Sequence, residues 1–549
     1  MANSSHMSQS EVLSLPRHVV GQITFQGTLT RNDPFNEIEL DVVFRADADG
    51  REWRVPAFWD GGTHWRVRFA LPEEGTYSYH SECSVDDPGL GDQRGRVEVE
   101  PYHGENPLLY HGPLQVSARR THLEHTDGTP FLWLGDTWWM MVSSRLRYPD
   151  ELAELVQDRL EKGFTLIQLV MGLFPDQDGF DPRGANEGGW AYTENFDRIN
   201  PRFYQHADAK IDHLLEAGLV PCLLPCWGYY IHWLGVEKMK RHLRYLLARY
   251  GAYPIVWCLA GETRMPHYLS TDRAGDVEIA REKWTEVARY FRQINPWPRP
   301  LTAHCSAFTG GSDQILEPEL LDFDMTQEGH GGMSVALKSA IFAREYVQRT
   351  PIQPVINGEV CYEGIMGSAR DDVQRFLFWS SMLSGMRGFT YGANGLWQFN
   401  RPQQPYGPGP NGSVWGNEPW RSCAAYPGSR QLGLGARLLE QLPWWKLEPH
   451  DLSNADTAWV EPMEHHTGTE IWAAGTDDGL RIFYFAEPLV VWRPIELRHL
   501  DASRRYRVCF FNPITGDYHE AGTINRASAW RLPKPPVMQD WVVILEPHD

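Results

Sequence analysis

At 549 residues the chain is longer than one hydrophobic core usually serves, so two or three domains are expected. Its formal net charge of −20 leaves no basic excess to neutralise phosphates, which argues against nucleic acid and against a membrane surface as partners. Aromatic residues make up 12% of the chain, with 23 Trp, and their flat apolar faces suit the C–H faces of sugar rings, so a neutral saccharide fits the composition better.

The eight cysteines are dispersed, and none forms a CxxC or a Cys/His ligand cluster. They read as reduced, buried thiols, which points to a cytoplasmic setting. The opening MANSSHMSQSEVLSLP lacks the basic flank and apolar core of a signal peptide. Its first seven residues read as a cloning remnant, so a trimmed native leader and secretion stay open. Residues 1–17 are expected to be a disordered tail. No apolar run reaches the ~18 residues of a membrane span.

From 18 to 105, short β-rich runs such as QITFQGTLT, HWRVRFALPEEG and TYSYHSECSV alternate with turn signals. Trp65, Val67 and Phe69 share one face of a period-2 strand, and the regular turns predict a small β-sandwich.

From 106 to 449, short apolar runs alternate with amphipathic helical stretches, the pattern of a parallel sheet. The runs are FLWLGD, FTLIQLV, LVPCLLP, IVWCLAGE, LTAHC, FDMTQEG, PVINGE and GFTYGANG, with helices expected near 150–162, 203–217, 236–250, 276–294, 335–349 and 373–384. Eight β units without a GxGxxG after the first strand predict a (β/α)₈ TIM barrel rather than an open doubly wound sheet. Inserts over 174–202 and 392–426 follow the second and eighth strands and are expected to wall a substrate cleft. From 450 to 549, TEIWAAGTDDGLRIFYFAEP and RRYRVCFFNPITGDYHEAG read as hairpins of a second sandwich. The fold class is therefore α/β, a barrel flanked by an N-terminal and a C-terminal β-sandwich.

Glu262 ends the fourth run and Glu359 the seventh, each after a Gly. Strands four and seven oppose each other in a barrel, so the two carboxylates can face one another across its mouth. Glycoside hydrolysis needs such a pair, one acid to protonate the leaving oxygen and one carboxylate to attack or to activate water. Glu363 is a rival for the second role. Glu328, at the end of the sixth strand, is expected to touch substrate or to steady a residue that does.

Asp136 after the first strand could take sugar hydroxyls, or cap the next helix. His304, after the fifth, is placed to tune Glu262. Trp138, Trp227, Trp397 and Trp415 are candidate stacking platforms, with loop packing as the alternative for each. No HExxH and no GxSxG occurs, and the one adjacent histidine pair, in Glu464-His465-His466, lies in the C-terminal segment. No metal and no cofactor is expected. Self-association is left open.

These residues carry a family likeness. Trp133-Leu134-Gly135-Asp136-Thr137-Trp138-Trp139, the run Trp257 to Glu262, and Asn357-Gly358-Glu359 with Tyr362-Glu363-Gly364 resemble the apiosidase-like catalytic barrels, relatives of the large clan of retaining (β/α)₈ glycosidases. The likeness extends from about Val19 to Asp549 and implies an immunoglobulin-like domain before the barrel and a β-rich one after it. It implies Glu262 as acid/base, Glu359 as nucleophile, retention of anomeric configuration, and a glycoside or oligosaccharide substrate. It also implies a Trp under the cleaved sugar, for which Trp397 is best placed. One position departs: the wider clan usually carries Asn before its acid/base, holding the sugar 2-hydroxyl, and Gly261 stands here. A furanose substrate would account for that. The long inserts favour an exo mode on a terminal sugar. Transglycosylation by the same carboxylates and a non-catalytic carbohydrate-binding barrel are the alternatives.

Overall fold

The computed structural model describes residues 3–5, 12–367, 369–461, 471–486 and 495–548. Much of the expected tail and the whole Glu464-His465-His466 run lie outside the described residues. Leu13–Pro16, assigned by sequence to the tail, is instead a strand paired in parallel with Arg94–Glu100, because Leu13 and Leu15 alternate inward onto the N-terminal core.

Two β-sheets occupy the N-terminal segment. One orders Leu13–Pro16, Arg94–Glu100, Gly75–Cys83, Leu40–Ala46 and Glu52–Pro56, and the other contains Gly21–Gln26, His64–Phe69 and Phe58–Trp59. Trp65, Val67 and Phe69 are buried, as their alternation requires.

The middle of the chain is a curled parallel sheet of eight strands: β1 (Trp133–Thr137), β2 (Leu166–Val170), β3 (Val220–Leu224), β4 (Val256–Cys258), β5 (Leu301–Thr302), β6 (Asp324–Gln327), β7 (Val355–Glu359) and β8 (Gly388–Tyr391). All of their residues are buried, which is why they read as continuous apolar runs rather than alternating ones. Their spatial order is β5-β4-β3-β2-β1-β8-β7-β6, so β1 pairs with both β2 and β8. The two ends of that order meet through Asp322 N–H to Leu301 O at 2.8 Å and Thr302 Oγ1 to Phe323 O at 2.9 Å. No strand ladder joins them among the described residues, and the short strand Thr309–Gly310 pairs antiparallel with the end of β6.

Helices α1 (Asp150–Glu161), α2 (Pro201–Glu216), α3 (Tyr230–Tyr250), α4 (Arg273–Ile294), α5 (Met333–Val347), α6 (Asp371–Leu383) and α7 (Pro427–Glu440) alternate with the strands. Only 3₁₀ turns, Gly311–Asp313 and Pro318–Leu320, separate β5 from β6. The start of α2 is set by Asn200, whose side chain accepts the Arg202 N–H, with Pro201 in the first turn.

The C-terminal sheet orders Glu448–Pro449, Ile471–Gly475, Arg481–Phe485, Trp541–His548, Arg505–Phe511 and Tyr518–Asn525, with a second small sheet of Ile495–Leu497 and Trp530–Leu532. All eight cysteines are free thiols; seven are buried and Cys83 is half-buried.

Buried charges tie the segments together. Arg68, from the N-terminal sheet, reaches Asp208 of α2 at 2.6 Å, and Arg249 of α3 pairs with the same carboxylate at 2.7 Å and with Asp60 at 3.0 Å. On the other side Arg375 of α6 pairs with Asp540 at 2.8 Å. Burial works against the Asp208 charge, but the two guanidinium groups hold its carboxyl well below the usual range. Asp208→Ala leaves both guanidinium groups short of their counter-ion and is expected to cost about 3–5 kcal/mol. An unchanged thermal unfolding midpoint would remove this cluster from the account of stability.

Candidate active site

Glu262 follows β4 with a left-handed backbone, φ +38°, and Glu359 is the last residue of β7. Gln327, at the end of β6, brings them together: its Nε2 donates to Glu262 Oε1 at 3.2 Å and to Glu359 Oε1 at 3.4 Å. One nitrogen within reach of both oxygens keeps them within about 6.6 Å of each other, compared with the ~5–5.5 Å of retaining glycosidases and ~6.5–9.5 Å of inverting ones.

The two glutamates differ in surroundings. Glu359 is buried between two histidines, with His304 Nε2 3.2 Å from Oε2 and His330 Nε2 3.0 Å from Oε1. The Glu262 backbone N–H donates to His304 Nδ1 at 3.4 Å, which leaves the ring proton on Nε2, facing Glu359. Burial alone would raise the Glu359 pKa, yet the close approach of His304 and the hydrogen bond from His330 outweigh it and lower it to about 2. Among the described residues no cation forms an ion pair with Glu262. Burial first, and then the Glu359 charge, push its pKa up to about 7. At neutral pH one group is thus an obligate carboxylate and the other is poised to give or take a proton. His330 itself is raised to about 9: burial opposes its charge, and Cys361 and Glu359 more than compensate.

Aromatic rings line this pair. Trp139 donates from Nε1 to the Tyr362 hydroxyl at 3.0 Å and meets Trp227 and His304 edge-on, with centroids at 5.4 and 5.6 Å. His330 packs on Tyr362 and Trp415. The two inserts interlock above the sheet: Trp415 Nε1 donates to Asp176 Oδ2 at 2.9 Å, and Arg183 donates to the Tyr406 and Pro408 carbonyls at 3.0 and 2.8 Å.

Several expected site residues face elsewhere. Asp136 is fully buried, its Oδ2 accepting from Arg159 Nε at 2.6 Å and Trp138 Nε1 at 2.7 Å and its Oδ1 from Thr137 N–H at 2.8 Å, so it is not open to a sugar, and Trp138 has no open face. Glu363 accepts from the Tyr391 hydroxyl at 2.6 Å and from Gly428 N–H at 3.2 Å, apart from the other two glutamates, and is a bracing group rather than a nucleophile. Trp397 is buried against Tyr406. Glu328 turns onto Asn357, whose Nδ2 donates to Oε1 at 2.7 Å, and burial raises its pKa to about 8. The cause is a register shift between Thr326 and Gln327, where Gln327 pairs with Glu359 and Gly358 is skipped, so the bulge aims Gln327 at the carboxylates in place of its neighbour. Among the described residues no group of three or more His, Cys, Asp or Glu is placed to hold a metal ion.

With this geometry the comparisons with known proteins agree. The model of the apiosidase-like catalytic domain matches residues 117–446. The chain belongs to the apiosidase-like family. It is accordingly a glycoside hydrolase. A domain of unknown function (DUF5060) matches residues 15–84. Among solved structures, a glycoside hydrolase is 22% identical with a TM-score of 0.66, covering 81% of this chain and 98% of its own. A family 5 glycoside hydrolase from Bacteroides vulgatus is 21% identical with a TM-score of 0.65, covering 81% and 95%. A second Bacteroides vulgatus protein is 16% identical with a TM-score of 0.65, covering 98% of this chain and all of its own. These likenesses concern the fold. No curated protein matches the chain.

Gly261, where the wider clan carries Asn, has a steric reason within this member. A Cβ there would lie 2.2 Å from Trp227 Cε3, so the Trp227 ring fills the space that an asparagine side chain needs. Gly261→Ala is expected to cost about 1–3 kcal/mol by overpacking, and most of that cost should vanish when Trp227→Ala is added, as a double-mutant cycle in urea would read. Additive losses would mean that Trp227 is not what the new methyl meets.

The pKa separation sets a pH profile. An acid at Glu262 working with a carboxylate at Glu359 would make kcat/KM fall as pH rises through about 7 and hold down to about 2, short of acid unfolding. Glu359→Gln removes the charge that helps raise the Glu262 pKa, so that pKa should drop. A carboxyl ¹³C titration showing no drop would uncouple the two groups.

Proposed function

We propose that the protein is a retaining, exo-acting glycosidase that removes a terminal sugar, a furanose being the best candidate, by double displacement. The observation that supports the reading is the shared Gln327 amide, which bounds the Glu262 and Glu359 oxygens to within about 6.6 Å, a limit that reaches only the lower edge of the ~6.5–9.5 Å of inverting enzymes. Glu359 attacks the anomeric carbon while Glu262 protonates the departing oxygen. As the ester forms, the Glu359 charge disappears, and with it part of what raised the Glu262 pKa. Glu262 then serves as base for the incoming water. His304 and His330 stabilise Glu359 as a carboxylate and therefore as a leaving group in the second step.

The interlocked inserts support an exo mode, since Arg183 and Trp415 close one side of the mouth. The Gly261 position supports a ring other than the usual pyranose, because Trp227 offers a flat surface where the clan's asparagine would hold a 2-hydroxyl. The curled sheet is read as a (β/α)₈ barrel sealed at the β5–β6 seam, and the terminal sheets as β-sandwiches bracing it.

A screen of aryl furanosides and pyranosides of both anomers tests the mechanism. Glu262→Ala is expected to lower kcat/KM on substrates with poor leaving groups by about 10²–10⁴-fold. Glu359→Ala should abolish turnover, and added azide should restore it with a glycosyl azide of inverted configuration. Turnover surviving both substitutions would end the two-carboxylate mechanism.

A further inference from the structure

Two indoles outside the site stand open to solvent: Trp190 and Trp233 are 40% and 37% exposed. They are joined by a row of rings. Trp190 meets Phe180 edge-on at 6.0 Å, Phe180 packs on Phe196 at 4.7 Å, and Phe196 stacks on Trp233 at 6.1 Å. The row continues toward the carboxylates, with Trp233 against His267 at 4.9 Å and His267 against Tyr268 at 5.8 Å. Tyr268 in turn accepts the Asp176 N–H at 3.1 Å, and Asp176 holds Trp415 beside His330.

The side of the site that this row reaches follows from the chain. His267 and Tyr268 lie within six residues of Glu262, just past the turn that Met265 N–H closes onto the Glu262 carbonyl at 2.7 Å. Glu262 is the group that protonates the departing oxygen, so what lies beyond it faces the leaving group. Resting on the glycosidase reading, we propose that Trp233 and Trp190 form a binding subsite for further sugar units of the leaving group, so that the substrate is an oligosaccharide or glycan chain shortened from its end.

Sugar rings suit this surface better than a purely apolar occupant. Ring stacking uses an aromatic face, and the hydroxyls need polar partners beside it. His267 Nε2 has no hydrogen-bond partner among the described residues, and the largely exposed Asp178 carboxylate lies 3.7 Å from it. His267 packs against Trp233. An aromatic row serving only as loop packing would have no use for indoles left a third or more exposed.

The test is binding, so that it reads separately from turnover. Glu359→Gln protein is titrated calorimetrically with xylohexaose, cellohexaose, mannohexaose and arabinohexaose, each against its monosaccharide. At least one hexasaccharide is expected to bind about tenfold or more tighter than its monosaccharide, the worth of one good stacking contact. Adding Trp233→Ala or Trp190→Ala should remove most of that advantage, and Trp233→Phe should keep most of it. If no hexasaccharide outbinds its monosaccharide, or if the advantage survives both alanine substitutions, the subsite is refuted. The azide experiment decides the two-carboxylate mechanism independently of either result.

Discussion

Two glutamates brought to one amide nitrogen cannot both carry charge cheaply in a buried site, and the structure resolves this by asymmetry. Glu359 has beside it His304, His330, Gln327 and Tyr362, the last oriented by Trp139. Among the described residues the hydrogen bond to the Glu262 carboxylate comes from the shared Gln327, and Glu262 sits half-buried. Their opposite pKa displacements follow from that distribution of partners, and the division of labour follows from the displacements. The contact from the Glu262 backbone to His304 Nδ1 makes the arrangement a single unit, because the strand end carrying Glu262 also sets which His304 nitrogen faces Glu359.

Holding this unit in register is the work of the flanking segments. The Asp208 cluster ties α2 and α3 to the N-terminal sheet, and the Arg375–Asp540 pair, with Phe376 against Trp472, ties α6 to the C-terminal one. These helices follow β2, β3 and β7 in the chain. Charges buried this deeply contribute little net stability when intact, but losing one partner is costly, so they favour one mutual placement over others.

Much of the architecture was legible in the sequence because it depends on local periodicity. The helix expected over 150–162 is α1 at Asp150–Glu161, and the one expected to begin near 236 begins at Tyr230, with a break at Gly235, φ +69°, after which the regular pattern resumes. The two glutamates were legible because a Gly-Glu pair closing an apolar run is rare enough to notice. What escaped were pairings between distant loops. Gln327 was hidden by its acidic neighbour Glu328, since a one-residue bulge decides which of the two faces the site. His330, Asp176 and Tyr268 lie in loops without period, and only the folded chain brings them to Trp415. Asp136 and Trp138 misled for the opposite reason: a strand-end carboxylate beside a Trp looks like a sugar site, and Arg159, reaching in from α1 to claim it, leaves no local trace.

The curled sheet has one joint without a ladder, between β5 and β6, and it divides the site's proton-bearing groups. His304 follows β5, whereas Gln327 and His330 belong to β6 and its loop. A joint held by isolated hydrogen bonds is the part of a sheet that breathes at least cost. Opening at that joint would move His304 relative to Glu359 while His330 and Gln327 stay on the β6 side, so the acidity of Glu359 depends on the joint staying closed. Warming such a molecule shifts its proton affinities before it loosens its core.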